Sequence, residues 1–232
     1  MVNLAQKLGQ GFVNAVFTGV HHNYDKANDA MSLFLHRKWK KDFVNMLGIS
    51  NATKVLDVAS GTGDVAKLVL QKTQNVTIAD INPQMLEIAK QKVGQNVNAI
   101  VCDASKMPFE NESFNLITCV FGIRNFQEIE QAIIEMKRIL KPNGKLAIME
   151  FMPNAQGNCQ NKLYHLYLQK ILPQYDKIFK NEEKSYEYLG NSILAFQNKD
   201  DFAKMLSKHG FNVVTPSFMQ GAVGCFLCSK NG

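Results

Sequence analysis

A Gly-rich turn directly follows a buried-type apolar run in the stretch VLDVASGTGDVA. Gly61, Gly63 and Ala66 fit the G-x-G-x-x-G/A spacing of turns that approach a nucleotide cofactor. Two carboxylates, Asp57 and Asp64, flank this turn. The turn could therefore hold a phosphate at bare helix N–H groups, or it could hold a ligand that prefers negative charge beside it.

Further acids decide between these two ligands. Asp80 and Asp103 end the apolar runs NVTIAD and NAIVCD. The carboxyl ends of parallel strands meet at one edge of a sheet, where ligands bind. Each carboxylate repels a phosphate charge by about 1–4 kcal/mol at contact. The same carboxylates suit the sulfonium and ammonium groups of S-adenosylmethionine, so we predict this cofactor instead of a nicotinamide dinucleotide.

The predicted cofactor residues come from the turn and the strand ends. We expect Thr62 at the amino-acid end of the cofactor, Asp80 at the ribose hydroxyls, and Asp103 with Ala104 at the adenine amine. The full set is Asp57, Gly61, Thr62, Gly63, Asp80, Ile81, Met85, Asp103, Ala104 and Val120. Each acid has a simpler alternative role: Asp64 could cap a helix, and Asp57 could order the loop.

The composition is that of an ordinary globular protein. The chain has 232 residues, of which 46% are hydrophobic and 20% charged, so it can form a sizeable core. A formal charge of +6 predicts attraction to anionic surfaces, although such basicity is common without an anionic partner. No apolar run is long enough to span a membrane, and the start does not resemble a signal peptide.

The cysteines indicate a reducing compartment. There are five of them, scattered along the chain. Cys225 and Cys228 form a C-x-x-C pattern, but the segment AVGCFLCSK is predicted to be a strand. Residues three apart on a strand point to opposite faces, so we expect neither a redox pair nor a metal site.

Strands and helices alternate regularly through the middle of the chain, which predicts βαβ units and a parallel sheet buried on both faces. FNVVTPSF and AVGCFLCSK follow each other without a helix between them, which predicts an antiparallel end to the sheet. The fold class is therefore α/β: a doubly wound, mostly parallel seven-stranded sheet with an antiparallel C-terminal strand, an N-terminal helical segment and a helical insert that covers the substrate.

We predict one methyltransferase domain over residues 1–232. Its parts are an N-terminal helical cover at 1–50, a cofactor-binding half at 51–151, a helical substrate insert at 152–198, and the last helix and strands at 199–232. A connection as long as the insert is usually helical and often acts as a lid.

The motif FGIRNF follows the fourth predicted strand. Many methyltransferases that act on nucleic-acid amines carry N-P-P-Y or D-P-P-Y at this point, so its absence weighs against that substrate. Arg124 and Asn125 are instead predicted to face the cofactor. The guanidinium group of arginine is a rigid fork of donors that suits an oxyanion in the substrate.

The chain resembles the UbiE-type C-methyltransferases of ubiquinone and menaquinone biosynthesis. The N-terminal signature YDKANDAMSLFLHRKW carries the residues Tyr24, Asp25, Asn28, Asp29, Met31, Ser32, His36 and Trp39. GTGD, ADINPQML, MPFENESFN, FGIRN, RILKPNGKLAIMEF and SYEYLGNSI follow at the spacing of the family. Departures from the pattern are Ser60 for Gly, Val120 for Ser, Asn143 for Gly and Met152 for Ser.

The resemblance implies methylation of a ring carbon on a prenylated quinol. Arg124 would then stabilise the phenolate, since its pKa is too high for a base, and Asn125 would orient the ring oxygen. The substrate-binding residues implied are Tyr24, His36, Tyr186, Tyr188 and Ser192. The base stays open among a water, Tyr24, Asp25, His36 and a tyrosine of the insert.

Several alternatives also stay open. They are a methyltransferase for another small molecule or RNA, a nicotinamide-dependent oxidoreductase, and a catalytically silent S-adenosylmethionine-binding protein. We expect a prenylated quinol as substrate, no nucleic-acid partner, and a cytoplasmic protein that touches the inner face of the membrane through HRKWKK and FVNAVF. The run HRKWKK could equally be a solvated helix face. A homodimer and the identity of the quinone are undecided.

Overall fold

One mixed sheet organises the computed structural model, which describes residues 4–9, 11–13, 15–16, 35–154, 158–178, 184–216 and 221–230. Its strand order is β3-β2-β1-β4-β5-β7-β6. The strands are β1 Val55–Val58, β2 Val76–Asp80, β3 Asn98–Val101, β4 Phe114–Val120, β5 Leu140–Phe151, β6 Phe211–Val214 and β7 Val223–Lys230.

Helices lie between the strands and in the two segments outside the sheet. They are α1 Leu4–Leu8, α2 Leu35–Met46, α3 Asp64–Val69, α4 Pro83–Val93, α5 Ile129–Ile139, α6 Asn158–Leu166, α7 Gln174–Ile178, α8 Ser185–Leu194 and α9 Lys199–Lys208. A 3-10 turn spans Ile123–Asn125, and a π-helical segment, Tyr167–Ile171, continues α6. None of these helices is both long and apolar enough to cross a bilayer.

The sheet has the predicted mixture of directions. β1 to β5 run parallel to one another, and β7 is antiparallel to both β5 and β6. The prediction of a doubly wound sheet with an antiparallel C-terminal strand is confirmed. The strand order reverses between β1 and β4, and ligands of open α/β sheets bind at such a point.

Each face of the sheet is covered by helices and has its own core. α5 and α9 cover one face, where Ile133 and Phe202 are fully buried. α2, α3 and α4 cover the other face, where Phe43 and Leu86 are buried. Because both faces are buried, the residues of β1, VLDV, are apolar except for one acid. This acid, Asp57, lies near the carboxyl end of the strand.

The C-x-x-C residues do not form a pair. Cys225 packs into the core under α2–α4, whereas Cys228 packs into the core under α5 and α9. Burial raises the pKa of each thiol to about 12. The two side chains occupy opposite faces of β7, as predicted, so the motif serves packing.

The insert forms a small core of its own above the sheet. Leu168, Leu172, Tyr186 and Ile193 are its buried members. α8 approaches the π-helical segment backbone to backbone at Gly190, where an added Cβ would lie 2.5 Å from the carbonyl oxygen of Leu168. The insert is therefore helical, as predicted, and its two halves are closely packed.

The N-terminal segment also contacts the insert. Ala5, Val13 and Val16 pack against Tyr188 of α8. The hydroxyl of Ser185 donates to the carbonyl oxygen of Val16 over 3.2 Å. These contacts join the two segments that lie outside the sheet. Most of the N-terminal signature, including Tyr24, lies outside the described residues.

Candidate active site

A pocket of about 460 Å³ opens at the carboxyl ends of the central strands, between the Gly-rich turn, α2 and the insert. Most of the predicted site residues line it. They are Asp57, Gly61, Thr62, Asp80, Ile81, Met85, Asp103, Ala104, Val120, Arg124, Asn125, His36, Tyr186 and Tyr188. The structure thus brings together residues that were selected from distant parts of the sequence.

Three predicted residues are not among those that line the pocket. Gly63 has a φ of 82°, and an added Cβ would lie 3.0 Å from the Cβ of Ala89, so its role is close packing against α4. Ser192 is buried and acts on the pocket through Arg124. Tyr24 lies in the part of the chain that the structure does not describe.

Asp80 holds the Gly-rich turn and the start of α4 together. One carboxylate oxygen accepts from the backbone N–H of Gly61, and the other accepts from that of Asn82, each over 2.9 Å. Asn82 in turn caps α4 by accepting from two N–H groups of its first turn. Burial raises the pKa of Asp80, and these backbone donors oppose the rise. A carboxylate has about four acceptor positions, so Asp80 can still accept from a ligand hydroxyl.

Asp57 sits at the reversal of strand order. The hydroxyl of Thr118, its partner on β4, donates to Oδ1 over 2.6 Å. Burial raises the pKa of Asp57 to about 7, against the lowering effects of Thr118 and of the charge on Lys40. The side chain therefore changes charge near neutral pH, and a cation beside it would favour the carboxylate.

Asp64 does not play the part expected from the sequence. It forms ion pairs with Lys40 of α2 at 2.8 Å and with Lys92 of α4 at 2.6 Å. Burial acts to raise the pKa of Asp64, but the two lysines hold it below its usual range. The N-cap of α3 is Gly63, so Asp64 does not cap the helix. With two cations on it, Asp64 cannot repel a phosphate, and the argument against a dinucleotide rests on the three strand-end acids.

The third acid, Asp103, is ordered by its own loop. Its Oδ1 accepts from the backbone N–H and the hydroxyl of Ser105, over 2.7 and 2.8 Å. Ala104 beside it is buried, and both residues line the pocket.

Arg124 lies in a buried ion pair that the sequence did not indicate. Its Nη1 is 2.6 Å from Glu150 Oε1 and also donates to the carbonyl oxygen of Phe121. Its Nε donates to the hydroxyl of Ser192 over 3.2 Å. Glu150 is fully buried at the carboxyl end of β5; burial raises its pKa, and Arg124 opposes this. The guanidinium charge is therefore balanced within the pocket wall.

Asn125 is held by the insert. The hydroxyl of Tyr188 donates to Asn125 Oδ1 over 3.0 Å, and both residues are buried. This hydrogen bond fixes the amide group, since its oxygen is occupied and its NH₂ must point elsewhere. Two residues that the sequence placed separately, one in a strand-end motif and one in the insert, thus form one unit.

The remaining wall is aromatic and aliphatic. Phe121 and Phe151 stack with ring centroids 4.3 Å apart, and Trp39 meets Phe151 edge-on. Leu168 and Leu172 of the insert also line the pocket. An apolar wall with few polar anchors is typical of a site for a hydrophobic ligand.

Buried oxygens without partners mark where a polar ligand would bind. Among the side chains that the structure describes, Asp57 Oδ2, Ser60 Oγ and Tyr164 Oη are buried without a hydrogen-bond partner. All three residues line the pocket. The first two lie by the Gly-rich turn, where an acceptor next to Asp80 fits the cationic and hydroxyl groups of S-adenosylmethionine.

This sheet order, with its antiparallel β7 and a Gly-rich turn at β1, defines the fold of class I S-adenosylmethionine-dependent methyltransferases. A SAM-dependent methyltransferase from Thermotoga maritima superposes with a TM-score of 0.66 at 18% identity, covering 93% of this chain and 100% of the other. Phosphoethanolamine N-methyltransferase 2 from Haemonchus contortus, solved with S-adenosyl-L-methionine, gives a TM-score of 0.61 at 17% identity, covering 84% and 53%.

The chain belongs to the ubiE/COQ5 methyltransferase family, whose family model matches residues 5–230. It is 40% identical to a ubiquinone/menaquinone biosynthesis C-methyltransferase UbiE from Bartonella quintana, over 96% of this chain and 88% of that protein. A protein of the same name from Rickettsia massiliae is 37% identical over 92% of this chain and 90% of its own length. The predicted family is confirmed.

Proposed function

We propose that this protein transfers a methyl group from S-adenosylmethionine to a ring carbon of a prenylated quinol in ubiquinone or menaquinone biosynthesis. The family and the names of its relatives support this reaction. The observation that carries it is a single pocket that joins an acid-lined Gly-rich turn to an aromatic and aliphatic wall. One side of the pocket suits a cationic nucleoside, and the other side suits a hydrophobic ring.

The turn side would hold the cofactor. S-adenosylmethionine, when bound, would supply a methyl group on a positively charged sulfur: a ring carbon of the phenolate would bond to the methyl group, S-adenosylhomocysteine would leave, and the ring proton would pass to a base such as a water. Asp80 binds the ribose hydroxyls through its remaining lone pairs, and its hold on Gly61 keeps the turn in place for close approach. The unpartnered oxygen of Asp57 offers negative charge to the cation.

The insert side would hold the quinol. Arg124 and Asn125 lie at the end of β4 and present polar groups to the ring oxygen. Glu150 and Ser192 fix the guanidinium, and Tyr188 fixes the amide. Alignment of the ring carbon with the methyl group then depends on these fixed groups rather than on mobile side chains.

Ligand binding and turnover test this function together. S-adenosylhomocysteine should raise the melting temperature of the protein, and NADH should not. The protein should methylate demethylmenaquinol or the 2-methoxy-6-polyprenyl-1,4-benzoquinol precursor, and comparing the two identifies its pathway. Arg124→Ala should keep the shift in melting temperature caused by S-adenosylhomocysteine but lower turnover by about a hundredfold or more. The control Arg138→Ala, outside the pocket, should keep both the shift and the turnover. Normal turnover by Arg124→Ala would contradict the assigned chemistry.

We also infer that the outer face of the insert contacts an anionic membrane surface. Leu163, Leu166, Ile171 and Ile178 are among the most exposed large apolar side chains described. The charged residues that accompany them at the surface of residues 158–178 are lysines, while the acid Asp176 is buried. Exposed apolar groups with basic neighbours suit a bilayer with anionic headgroups.

The position of this face favours delivery of the substrate. The same helices turn Tyr167, Leu168 and Leu172 into the pocket, so one segment borders both the proposed membrane and the site. The basic run HRKWKK, proposed from the sequence, is less suited to this contact. Its Lys40 pairs with Asp64, and its Trp39 is nearly buried.

Vesicle flotation tests the membrane contact. The protein should float with vesicles that contain phosphatidylglycerol and remain in solution with purely phosphatidylcholine vesicles at high salt. Leu163→Gln combined with Ile171→Gln should weaken flotation about tenfold. The matched control, Ile134→Gln with Val214→Gln, changes exposed apolar residues elsewhere and should leave flotation unchanged. Equal flotation of both double variants would remove the insert from the contact.

A further inference from the structure

Tyr164 lies on α6 and lines the pocket, yet nothing in the sequence singled it out. Its hydroxyl oxygen is buried and has no hydrogen-bond partner. Buried polar groups of native proteins are nearly always hydrogen-bonded, so an unpaired one that faces a pocket marks the place of a ligand atom. Tyr164 belongs to the insert, whereas the other two unpartnered oxygens belong to β1 and the Gly-rich turn.

The surroundings of Tyr164 place it with the quinol side of the site. It lies close enough to Arg124 and Glu150 for the charge of each to act on its phenol. Near the end of β4, Tyr188 donates to the oxygen of Asn125, whose NH₂ group points elsewhere, and the charge of Arg124 is balanced by Glu150. Because the guanidinium charge is already balanced, an O–H donor from Tyr164 would add to the stabilisation of a phenolate in the pocket.

We propose that Tyr164 is a catalytic residue that donates its O–H to the ring oxygen of the substrate and stabilises the phenolate beside the methyl-accepting carbon. This assignment rests on the proposed function, since it requires a substrate with a phenolic oxygen. The ring would then be held from two elements: Tyr164 from the insert, and Arg124 with Asn125 from the end of β4.

The chemistry of the site makes Tyr164 a donor and not the base. Burial raises the pKa of its phenol well above the usual value; Arg124 lowers it and Glu150 raises it further. The O–H therefore keeps its proton at neutral pH. A hydrogen bond to the charged form of a phenol favours that form, so contact with Tyr164 would lower the pKa of the substrate.

Replacement of Tyr164 by Phe removes the donor and leaves the ring. Tyr164→Phe should lower kcat for quinol methylation about 10- to 100-fold. It should also move the acidic limb of the kcat profile about one pH unit upwards, because the substrate ionises less readily. The Kd for S-adenosylhomocysteine should not change. Tyr175→Phe, the same change in α7 outside the pocket, should behave like the unaltered protein.

Other results would overturn the assignment. An unchanged kcat and pH limb in Tyr164→Phe would do so. A higher KM for the quinol with an unchanged kcat and pH limb would do so as well, since it would show a contact that is made equally before and during reaction.

A bound chromophore separates this assignment from the proposed function. A 4-nitrophenol with an alkyl tail reports its own ionisation by absorbance and needs no turnover. Bound to the unaltered protein, its pKa should be about one unit lower than when bound to Tyr164→Phe. If the unaltered protein fails to methylate any quinol but this difference is found, the proposed function fails and the donor role stands. Equal pKa values, or a probe that binds neither protein, would overturn the donor role.

Discussion

The two walls of the pocket are built in different ways. In the turn wall, Asp80 accepts from the backbone N–H groups of Gly61, 19 residues away, and of Asn82 beside it, although Asp57 also accepts from Thr118 across 61 residues. The insert wall is assembled from distant residues. Arg124 reaches Ser192 across 68 residues, and Tyr188 reaches Asn125 across 63.

The two walls also differ in the groups that form their hydrogen bonds. The turn wall uses backbone N–H groups, which remain in place when a side chain changes. The insert wall uses buried side chains that satisfy one another, so the loss of one leaves its partner without compensation. We therefore expect changes in the turn wall to alter ligand binding more than stability, and changes in the insert wall to alter both.

The largest effect is expected for Glu150→Ala. It would remove the counter-ion of the buried Arg124 and lower the free energy of unfolding by about 3–5 kcal/mol. Urea unfolding measures this. Glu130→Ala removes a carboxylate that is itself exposed, although it pairs with Lys208 and His209, and should cost at most about 1 kcal/mol. Similar losses in the two variants would show that the buried Arg124–Glu150 pair contributes no more than an exposed pair.

Asp80→Ala should separate binding from stability on the turn side. Two charge-assisted hydrogen bonds to ribose would be lost, which corresponds to about a hundredfold weaker binding of S-adenosylhomocysteine. Calorimetric titration measures the change, with the exposed Asp200→Ala as control. Unaltered affinity would show that this carboxylate serves only the turn.

Cofactor affinity should depend on pH through Asp57. The pKa of this acid is raised to about 7 by burial, so the ligand-free protein binds a proton there as the pH falls below neutral. A bound cation favours the carboxylate, and the proton must then leave. Binding of S-adenosylmethionine should therefore be about tenfold weaker at pH 6 than at pH 8.

Asp57→Asn supplies the control for this pH dependence. It cannot ionise, and the ratio of dissociation constants at the two pH values should approach one. The ligand-free variant should also be more stable than the unaltered protein at pH 8, because an acid with a raised pKa destabilises the fold once it ionises. A pH dependence that survives in Asp57→Asn would assign it to another group.

The smallest effect is expected where α2 meets the Gly-rich turn. Lys40→Met breaks the partly buried pair with Asp64, although Lys92 remains on the same carboxylate. We expect a loss of about 1 kcal/mol in thermal or urea unfolding, reduced at high salt. Lys38→Met removes an exposed pair on the same helix and should cost no more than about 0.5 kcal/mol. Equal losses would show that the Lys40 contact is no stronger than a surface pair.

The sequence predicted most of the turn wall because that wall follows local rules. The spacing of Gly61 and Gly63 and the acids at strand ends are visible in short segments. Glu150 also stands near a strand end, at the end of β5 in KLAIMEF, but its pairing with Arg124 depends on the folded chain. Asn143 also follows a local rule. It stands where the family has a turn glycine, and its φ of 59° is a left-handed conformation that asparagine tolerates.

Charge balance was harder to predict. Asp64 looked like a negative group beside the turn, yet Lys40 and Lys92 lie 24 and 28 residues from it and bring cations to it only in the folded chain. Tyr164 likewise gave no signal, because a tyrosine in an amphipathic helix is usually a packing residue. Which donors remain unpaired is decided by tertiary contacts that no pattern of spacing contains.

Gly190 sets the distance between two helical segments of the insert. Because its hydrogen faces the carbonyl oxygen of Leu168, the spacing between the helix that bears Tyr188 and the helix that bears Tyr164 is set by the absence of one methyl group. Even alanine would push these helices apart. The spacing of the two elements that carry Tyr164 and Tyr188 thus depends on a residue that does not line the pocket.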